Sequence, residues 1–403
     1  MSIPLGSAPL MRPSGRFALF ALGFRPFFLA AGVSALVLMG LWLAFWQGVV
    51  PGGGYFNLVE WHAHEMLFGY TTAVVAGFLL TAVRNWTGMA VPTGGWLATL
   101  ALLWLAGRML VVTPQAPGWL VAAVDLAFLP ALAVSLWRPL WFGPNPVNRF
   151  FLLFMAGMTL ANLLVHLDVM GLGRTLGLWQ RGLYFMVDWV LLVLLLVAGR
   201  VIPFFTEKAV PGAVLRRRDW VEAGGFATLG AAALADLVWP NGALSGGLFL
   251  AAGVVQAVRW QGWYGRNHGI WRRPILWVLY VGYLWVVVGL ALRGLAGFGL
   301  FPRALVLHAL TLGGIGVLTL GMMSRVILGH TGRDINAIGW WMPLAFVLLT
   351  LAAVVRVFLP MVEMGRYVLW INLAGGLWMM AFFIFVFYYT PMLLTPRIDG
   401  RPG

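Results

Sequence analysis

Apolar stretches long enough to cross a membrane recur along the whole chain, and they restrict its fold more than any other feature. A helix of about 20 residues spans the ~30 Å hydrocarbon core of a bilayer and satisfies its own backbone hydrogen bonds there. Strands of a membrane barrel would instead alternate in short segments. With 62% hydrophobic and 9% charged residues, the chain also lies outside the composition of soluble domains. The sequence therefore predicts an all-α, polytopic transmembrane helical bundle.

About twelve such stretches lie between residues 27 and 390, which we interpret as a single transmembrane domain. A segment of residues 1–26 precedes this domain, and a tail of residues 391–403 follows it. The predicted spans are Phe27–Val50, Trp61–Val83, Trp96–Val112, Trp119–Trp137, Arg149–Leu167, Leu183–Phe205, Val221–Trp239, Ala243–Trp260, Ile275–Ala296, Ala304–Leu328, Trp340–Leu359 and Tyr367–Tyr389. No stretch remains for a separate soluble domain.

Lys and Arg in the loops predict how the chain is oriented in the membrane. Loops on one side carry most of them, whereas the opposite loops carry only Arg174, Arg181, Arg303 and Arg366. Cytoplasmic loops are the ones enriched in positive charge, so both the N-terminal segment and the tail are predicted to be cytoplasmic. The densest run, Arg216–Arg218, is interpreted as such a topology signal rather than a binding patch. The net charge of +14 therefore does not indicate binding to nucleic acid.

The chain contains no cysteine, which excludes disulfides, cysteine-ligated zinc and iron–sulfur clusters. A metal would have to be held by His, carboxylate, Met or backbone. His62, His64 and Glu65 stand together at the start of the second span, although ionisable groups are rare within membranes and usually functional. Imidazole and carboxylate together suit Cu, Zn and Fe. This cluster is therefore our first candidate for a metal or haem site.

His62 and His64 are about 200° apart around an ideal helix, so they face opposite sides. Two interpretations remain open. Either the first turn is irregular and both imidazoles hold one ion, or each imidazole belongs to a different site.

The predicted orientation places four of the six histidines in the outer half of the membrane. The polar residues predicted at this depth are His62, His64, Glu65, Arg108, Asp125, His166, Asp168, Asp188, Arg293 and His308. This grouping predicts a metal or haem site near the outer surface. The alternative is a polar network that supports the outer helix ends, with Arg108 and Arg293 paired to Asp125 and Asp188.

The tenth span carries a histidine near each end. His308 and His330 are about 33 Å apart along this helix, so they cannot ligate the same ion. Between them, the glycines from Gly313 to Gly321 form a small face for close helix packing. The alternative is that this face leaves space for a porphyrin beside His308; from the residues alone, packing is the favoured interpretation.

Several long motifs occur together and in order between about residues 17 and 390, and they resemble the NnrS family. The motifs are Gly23–Phe28, Trp61–Tyr70, Gly77–Gly88, Arg200–Thr206, His308–Thr311 and Gly321–Arg333. The resemblance implies a bacterial inner-membrane protein of twelve spans that carries haem b and copper. It also implies a role in the nitric-oxide response that accompanies denitrification, with protection against nitrosative stress and nitric oxide as the small-molecule ligand.

Combining the resemblance with the residues gives candidate ligands. His308 is the candidate haem iron ligand, with His62 or His64 as the ligand from the facing helix and the other left for copper. His166 is the next candidate metal ligand, and Glu65 is a further one. Arg108 and Arg293 lie at a depth suited to haem propionates, which Arg binds well.

Two other classes of function remain open. Intramembrane charges such as Asp125, Asp188 and Arg200 also mark substrate or proton pathways in transporters, and twelve spans are typical of them. The third hypothesis is a structural or assembly factor that needs no metal. Whether the chain catalyses a reaction, as a haem-dependent oxidoreductase acting on nitric oxide would, is also open.

Overall fold

The computed structural model describes residues 17–50, 54–240, 242–265 and 268–401. The structure is 81% helical, and the described residues contain no strand. Twelve helices are long and apolar enough to cross a membrane. The predicted all-α transmembrane bundle is therefore confirmed. Most of the predicted N-terminal segment, residues 1–16, lies outside the described residues.

Each predicted span overlaps one observed membrane helix. In chain order these helices are α1 (Phe24–Trp46), α2 (Leu58–Thr87), α3 (Gly94–Val111), α4 (Gly118–Phe142), α5 (Pro146–Val169), α6 (Leu178–Ala209), α7 (Asp219–Val238), α8 (Ala243–Tyr264), α9 (Pro274–Gly297), α10 (Arg303–His330), α11 (Trp341–Val362) and α12 (Met364–Leu394). The helix ends differ from the predicted ones by a few residues.

Helices α2 and α10 form the centre of the bundle. In their most apolar stretches, 83% and 78% of the residues are buried inside the protein, against 33% in α3 and in α7. Membrane helices that face lipid on one side expose apolar residues there, whereas a central helix is covered by its neighbours. Polar groups on α2 and α10 therefore face protein rather than lipid, which positions them for a site.

Both central helices contain a π-helical segment that begins directly after a histidine. In α2 the segment Glu65–Thr71 follows His64, and in α10 the segment Ala309–Gly316 follows His308. The i→i+5 hydrogen bonding of a π turn is rare and often found at functional sites. Each segment interrupts the regular α-helical spacing just beyond a candidate ligand.

The glycine face of α10 is used for packing. A Cβ at Gly313 would lie 2.6 Å from the indole of Trp285 in α9, and a Cβ at Gly316 would lie 3.0 Å from the indole of Trp378 in α12. Because these indoles already cover the face, the close-packing interpretation is the one that the structure supports.

Candidate metal centre

The start of α2 is fixed by a capping box just outside the membrane span. The Asn57 side chain accepts a hydrogen bond from the Glu60 N–H (2.9 Å), and the Glu60 carboxylate accepts one from the Asn57 N–H (3.0 Å). Such caps stabilise a helix end by about 1 kcal/mol. The cap sets where the helix begins, and about two turns later His64 and Glu65 are fully buried.

Three buried side chains from three different helices converge on one point. The Nε2 atom of His64 in α2 lies 3.2 Å from Oδ2 of Asp125 in α4. The Nε2 atom of His166 in α5 lies 3.0 Å from the same oxygen. One ligand atom from each residue can be chosen so that all three lie within 4.8 Å of one another. The group, which we call the His–Asp–His group, has the residue types and spacing of a metal site.

The second nitrogen of each imidazole is held by another residue. Nδ1 of His64 lies 3.1 Å from Oε1 of Glu65, and Nδ1 of His166 lies 2.9 Å from the Tyr55 hydroxyl. Burial raises the pKa of Tyr55, which lies in the loop before α2, to about 12, so the hydroxyl keeps its proton at neutral pH. Metal-binding histidines are commonly oriented in this way through the nitrogen that does not bind the metal.

Arg108 and Asn162 complete the polar surroundings of the group. Arg108 in α3 donates a hydrogen bond to Glu65 (2.9 Å) and forms an ion pair with Asp125. Asn162 lies one turn before His166 on α5. Its side-chain amide donates a hydrogen bond to Asp125 (2.7 Å), and its Oδ1 lies 3.0 Å from the Nε2 of His64. Two carboxylates against one guanidinium leave one negative charge uncompensated when the imidazoles are neutral. A cation would be electrostatically favoured in this position.

A small cavity of about 10 Å³ adjoins the His–Asp–His group. Three polar side chains of the cluster line it, together with apolar side chains of α2, α3 and α4; the lining residues are Phe68, Thr72, Leu103, Trp104, Arg108, Asp125, Phe128, Leu129 and Asn162. A volume of this size holds about one water molecule. The space beside the group therefore suits only a very small ligand.

His62 belongs to a different cluster from His64. Its ring stacks on Trp42 of α1 with 4.3 Å between ring centroids, and its buried Nδ1 has no hydrogen-bond partner among the described residues. His308 of α10 and Arg356 of α11 lie near His62. Of the two interpretations of the His62 and His64 spacing, the structure thus shows the one with separate surroundings.

His308 and Arg356 each keep part of their hydrogen-bonding capacity free. Nδ1 of His308 lies 2.9 Å from the Ala304 carbonyl oxygen, and no hydrogen bond to its Nε2 occurs within the described part of the chain. Nη2 of Arg356 donates to the Tyr367 hydroxyl (3.1 Å), whereas its buried Nη1 has no partner among those residues. This cluster, which we call the His62–His308 cluster, therefore has unused ligand and donor atoms.

Arg293, the other residue considered for propionates, lies in a third cluster. It forms an ion pair with Asp188 of α6 and donates to Asp236 of α7 (3.0 Å). Asp236 also pairs with Arg303 at 2.5 Å. Arg293 and Arg108 thus form the ion pairs of the polar-network alternative. Their terminal nitrogens contact carboxylates of the protein itself.

Sequence reasoning missed four residues of these clusters. Arg356 and Asp236 are charged residues inside predicted spans, so the rule that singled out Arg108 and Asp125 would have found them too. Asn162 precedes His166 by four residues, which places both on one helix face. Tyr55 lies in a loop, and no local pattern marks it as a partner of a residue in α5.

Comparison with known protein families agrees with this architecture. The model of the NnrS protein family matches residues 18–397 of the 403-residue chain. No curated protein matches the chain. Because the family match covers all twelve membrane helices and both histidine clusters, the chain belongs to the NnrS family.

Proposed function

We propose that this protein binds copper and haem b and uses them to bind or process nitric oxide in the response to nitrosative stress. One observation carries the proposal. In the His–Asp–His group both Nδ1 atoms have partners of their own, while both Nε2 atoms meet at one carboxylate oxygen; the Nε2 of His64 also lies 3.0 Å from Oδ1 of Asn162. A histidine that binds a metal uses one ring nitrogen for the metal and the other for an orienting hydrogen bond, and this arrangement matches that use.

The His–Asp–His group fits copper by its donor types and its charge. Imidazole nitrogen is a good ligand for copper, and the chain has no cysteine that would compete for it. A single positive charge, as on Cu(I), would balance the uncompensated negative charge of Glu65, Asp125 and Arg108. The two carboxylates would have different roles: Asp125 would bind the metal, while Glu65 keeps His64 oriented.

The His62–His308 cluster fits haem by its unpartnered atoms and not through the glycine face of α10, which Trp285 and Trp378 cover. The two imidazoles come from the two central helices, and each has a nitrogen without a hydrogen-bond partner in the described chain. The buried Nη1 of Arg356 is a suitable donor for a propionate, since Arg binds carboxylates well. If only one of the two imidazoles ligated the iron, haem would supply a position at which nitric oxide binds. In this proposal Arg356 takes the role that the sequence suggested for Arg108 or Arg293.

The two clusters lie on the side of the membrane that arginine counting predicts to be periplasmic. Nitric oxide is small and uncharged, so it can reach this depth from the lipid or from the water. The cavity of about 10 Å³ beside Arg108, Asp125 and Asn162 holds about one water molecule, so nitric oxide would have to widen it to enter. The proposal therefore places the protein in the bacterial inner membrane with its ligand site toward the outside.

The experiment is metal analysis and an absorption spectrum of the protein, purified from the membranes of cells that were grown with a haem precursor and copper. The wild-type protein should show a Soret band and contain copper. His308→Ala should remove the Soret band and leave copper bound, whereas His64→Ala should do the reverse. His330→Ala, at the other end of α10, is the matched control and should change neither signal.

Other results would contradict the proposal. If the wild-type protein carried neither a Soret band nor copper, the transporter and assembly-factor hypotheses would be favoured instead. If His308→Ala kept a normal spectrum, the assignment of His308 to haem would be wrong. If His64→Ala and His330→Ala kept the same amount of copper, the His–Asp–His group would be a structural network.

A further inference from the structure

A large cleft lies at the opposite end of the bundle from the histidine clusters, where α7 begins and α8 ends. Its volume is about 880 Å³, and its walls come from the segment before α7, the first turn of α7 and the last two turns of α8. Binding sites for small molecules commonly have volumes of 300–1,000 Å³. The cleft is therefore large enough to hold a ligand, and it opens at the membrane boundary because both helices are membrane spans.

The segment before α7 is held against α8 by its backbone. The N–H of Arg216 donates a hydrogen bond to the Gly262 carbonyl oxygen (2.9 Å). A Cβ at position 262 would lie only 2.5 Å from the Arg216 carbonyl oxygen, so this approach requires glycine. Arg216, Arg217 and Arg218 are thus placed at the cleft by a specific backbone contact rather than by a free loop.

The cleft carries an excess of positive charge. Four arginines and one glutamate line it. Arg259 and Glu222 neutralise each other in an ion pair at its inner wall, and Arg217 pairs with Glu207 (3.2 Å) outside the lining. The guanidinium groups of Arg216 and Arg218 have no partner within the described part of the chain, and both side chains are exposed. They are available to an anion.

The same cleft has an apolar wall. Val214, Val221 and Val258 line it, together with Trp260 and Trp263. Trp260 stacks on Tyr264 with 5.2 Å between ring centroids. Tryptophan and tyrosine are enriched where a membrane meets water, because they have an apolar ring and a polar atom. A ligand that satisfies both walls needs an anionic group and an apolar part.

We infer that this cleft binds the phosphate headgroup of an anionic phospholipid. Arg216 and Arg218 would bind the phosphate, while Val214, Val258 and the indole of Trp260 would contact the glycerol and the upper acyl chain. Basic pockets between membrane helices on the cytoplasmic side are suited to such headgroups, and arginine counting predicts this side to be cytoplasmic. A soluble phosphate compound shares the anionic chemistry but would leave the apolar wall uncovered. The inference does not depend on the proposed metal sites.

The test measures the binding of phosphatidylglycerol to the full-length protein by native mass spectrometry, with phosphatidylcholine as the neutral lipid. The double variant Arg216→Gln/Arg218→Gln should bind phosphatidylglycerol roughly tenfold or more weakly, since each arginine near a membrane surface contributes substantially to anionic lipid binding. The conservative variant Arg216→Lys/Arg218→Lys keeps both charges and should retain most of the binding.

The matched control removes the same charge elsewhere. Arg138 and Arg272 are exposed and are predicted to lie on the same side, so Arg138→Gln/Arg272→Gln should leave phosphatidylglycerol binding unchanged. Equal losses in the two double variants would mean that only overall charge matters and would overturn the inference. Wild-type binding by Arg216→Gln/Arg218→Gln would overturn it as well. If excess inorganic phosphate displaced the lipid completely, the ligand would be a soluble phosphate and not a lipid.

Discussion

Asp125 is the residue on which the copper proposal depends most, because both histidines of the His–Asp–His group meet at its carboxylate, and Asp125→Asn is therefore the most informative substitution. The change keeps the size of the side chain and removes its negative charge. Asp125 is buried and is in contact with Arg108, His64, His166 and Asn162. The substitution therefore alters stability and metal affinity at the same time.

The magnitude of the stability change follows from what Arg108 retains. Breaking a buried ion pair by neutralising one partner costs about 3–5 kcal/mol, because the remaining charge is left buried. Arg108 keeps its hydrogen bond to Glu65 at 2.9 Å, so the charge of Glu65 still partly compensates its positive charge. We therefore expect a loss near the lower end, about 3 kcal/mol.

The control for this substitution is Asp188→Asn, which removes a similar ion pair outside the His–Asp–His group. Asp188 is fully buried and pairs with Arg293. After the substitution Arg293 would retain its ion pair with Asp236 (3.0 Å), just as Arg108 would retain its ion pair with Glu65. Both variants should lose comparable stability in a thermal unfolding assay in detergent. Only Asp125→Asn should also lose bound copper, because only Asp125 would be a ligand.

Equal amounts of copper in the two purified variants, whether both keep it or both lose it, would contradict the assignment of Asp125 as a copper ligand. Equal retention would make Asp125 a partner in a hydrogen-bond network and not a ligand. Equal loss would mean that copper is lost because the protein is destabilised, and not because a ligand has been removed. If Asp125→Asn were as stable as the wild type, the ion pair with Arg108 would not be the buried interaction described above.

Three further substitutions test separate parts of the structure. Tyr55→Phe removes the hydrogen bond to His166 and should lower copper affinity roughly 10- to 100-fold; a metal titration that matches the wild type would contradict the orienting role. Arg356→Gln should shift or weaken the haem absorbance while copper stays bound, and an unchanged spectrum would exclude a contact with the cofactor. Gly182→Ala would place a Cβ 2.6 Å from a backbone oxygen of α5 and should destabilise the fold by about 1–3 kcal/mol, whereas Gly230→Ala, with nothing within 4 Å, should not; equal melting temperatures would contradict the packing.

The membrane fold could be predicted in almost all of its elements from the sequence. An apolar stretch such as Ile275–Ala296 or Trp340–Leu359 leaves the backbone only one way to satisfy its hydrogen bonds in lipid, which is a helix. Helix ends are set by local residues. The capping box at Asn57 is a local signal of this kind, and the sequence analysis did not use it. The π-helical segments after His64 and His308 carry no comparable local signal.

The candidate site could be predicted in part. Helix periodicity placed His62 and His64 on opposite faces, and the structure shows them in separate clusters. Depth in the membrane grouped His166 and Asp125 with them. Depth alone does not say which residues at one level are in contact, however, and for that reason Arg293 was grouped with Arg108 although each belongs to a different cluster.

By itself, the sequence determined that this chain has twelve helices able to cross a membrane, which way its arginine-rich loops are expected to face, and which polar residues share the helix ends that are predicted to face outward. Only the tertiary structure decided that His64, Asp125 and His166 meet while His62 turns to Trp42 and Arg356 is close to His308. The reason is physical: periodicity and hydropathy depend on neighbours in the chain, whereas contacts between spans depend on which helices pack together and how each one is rotated.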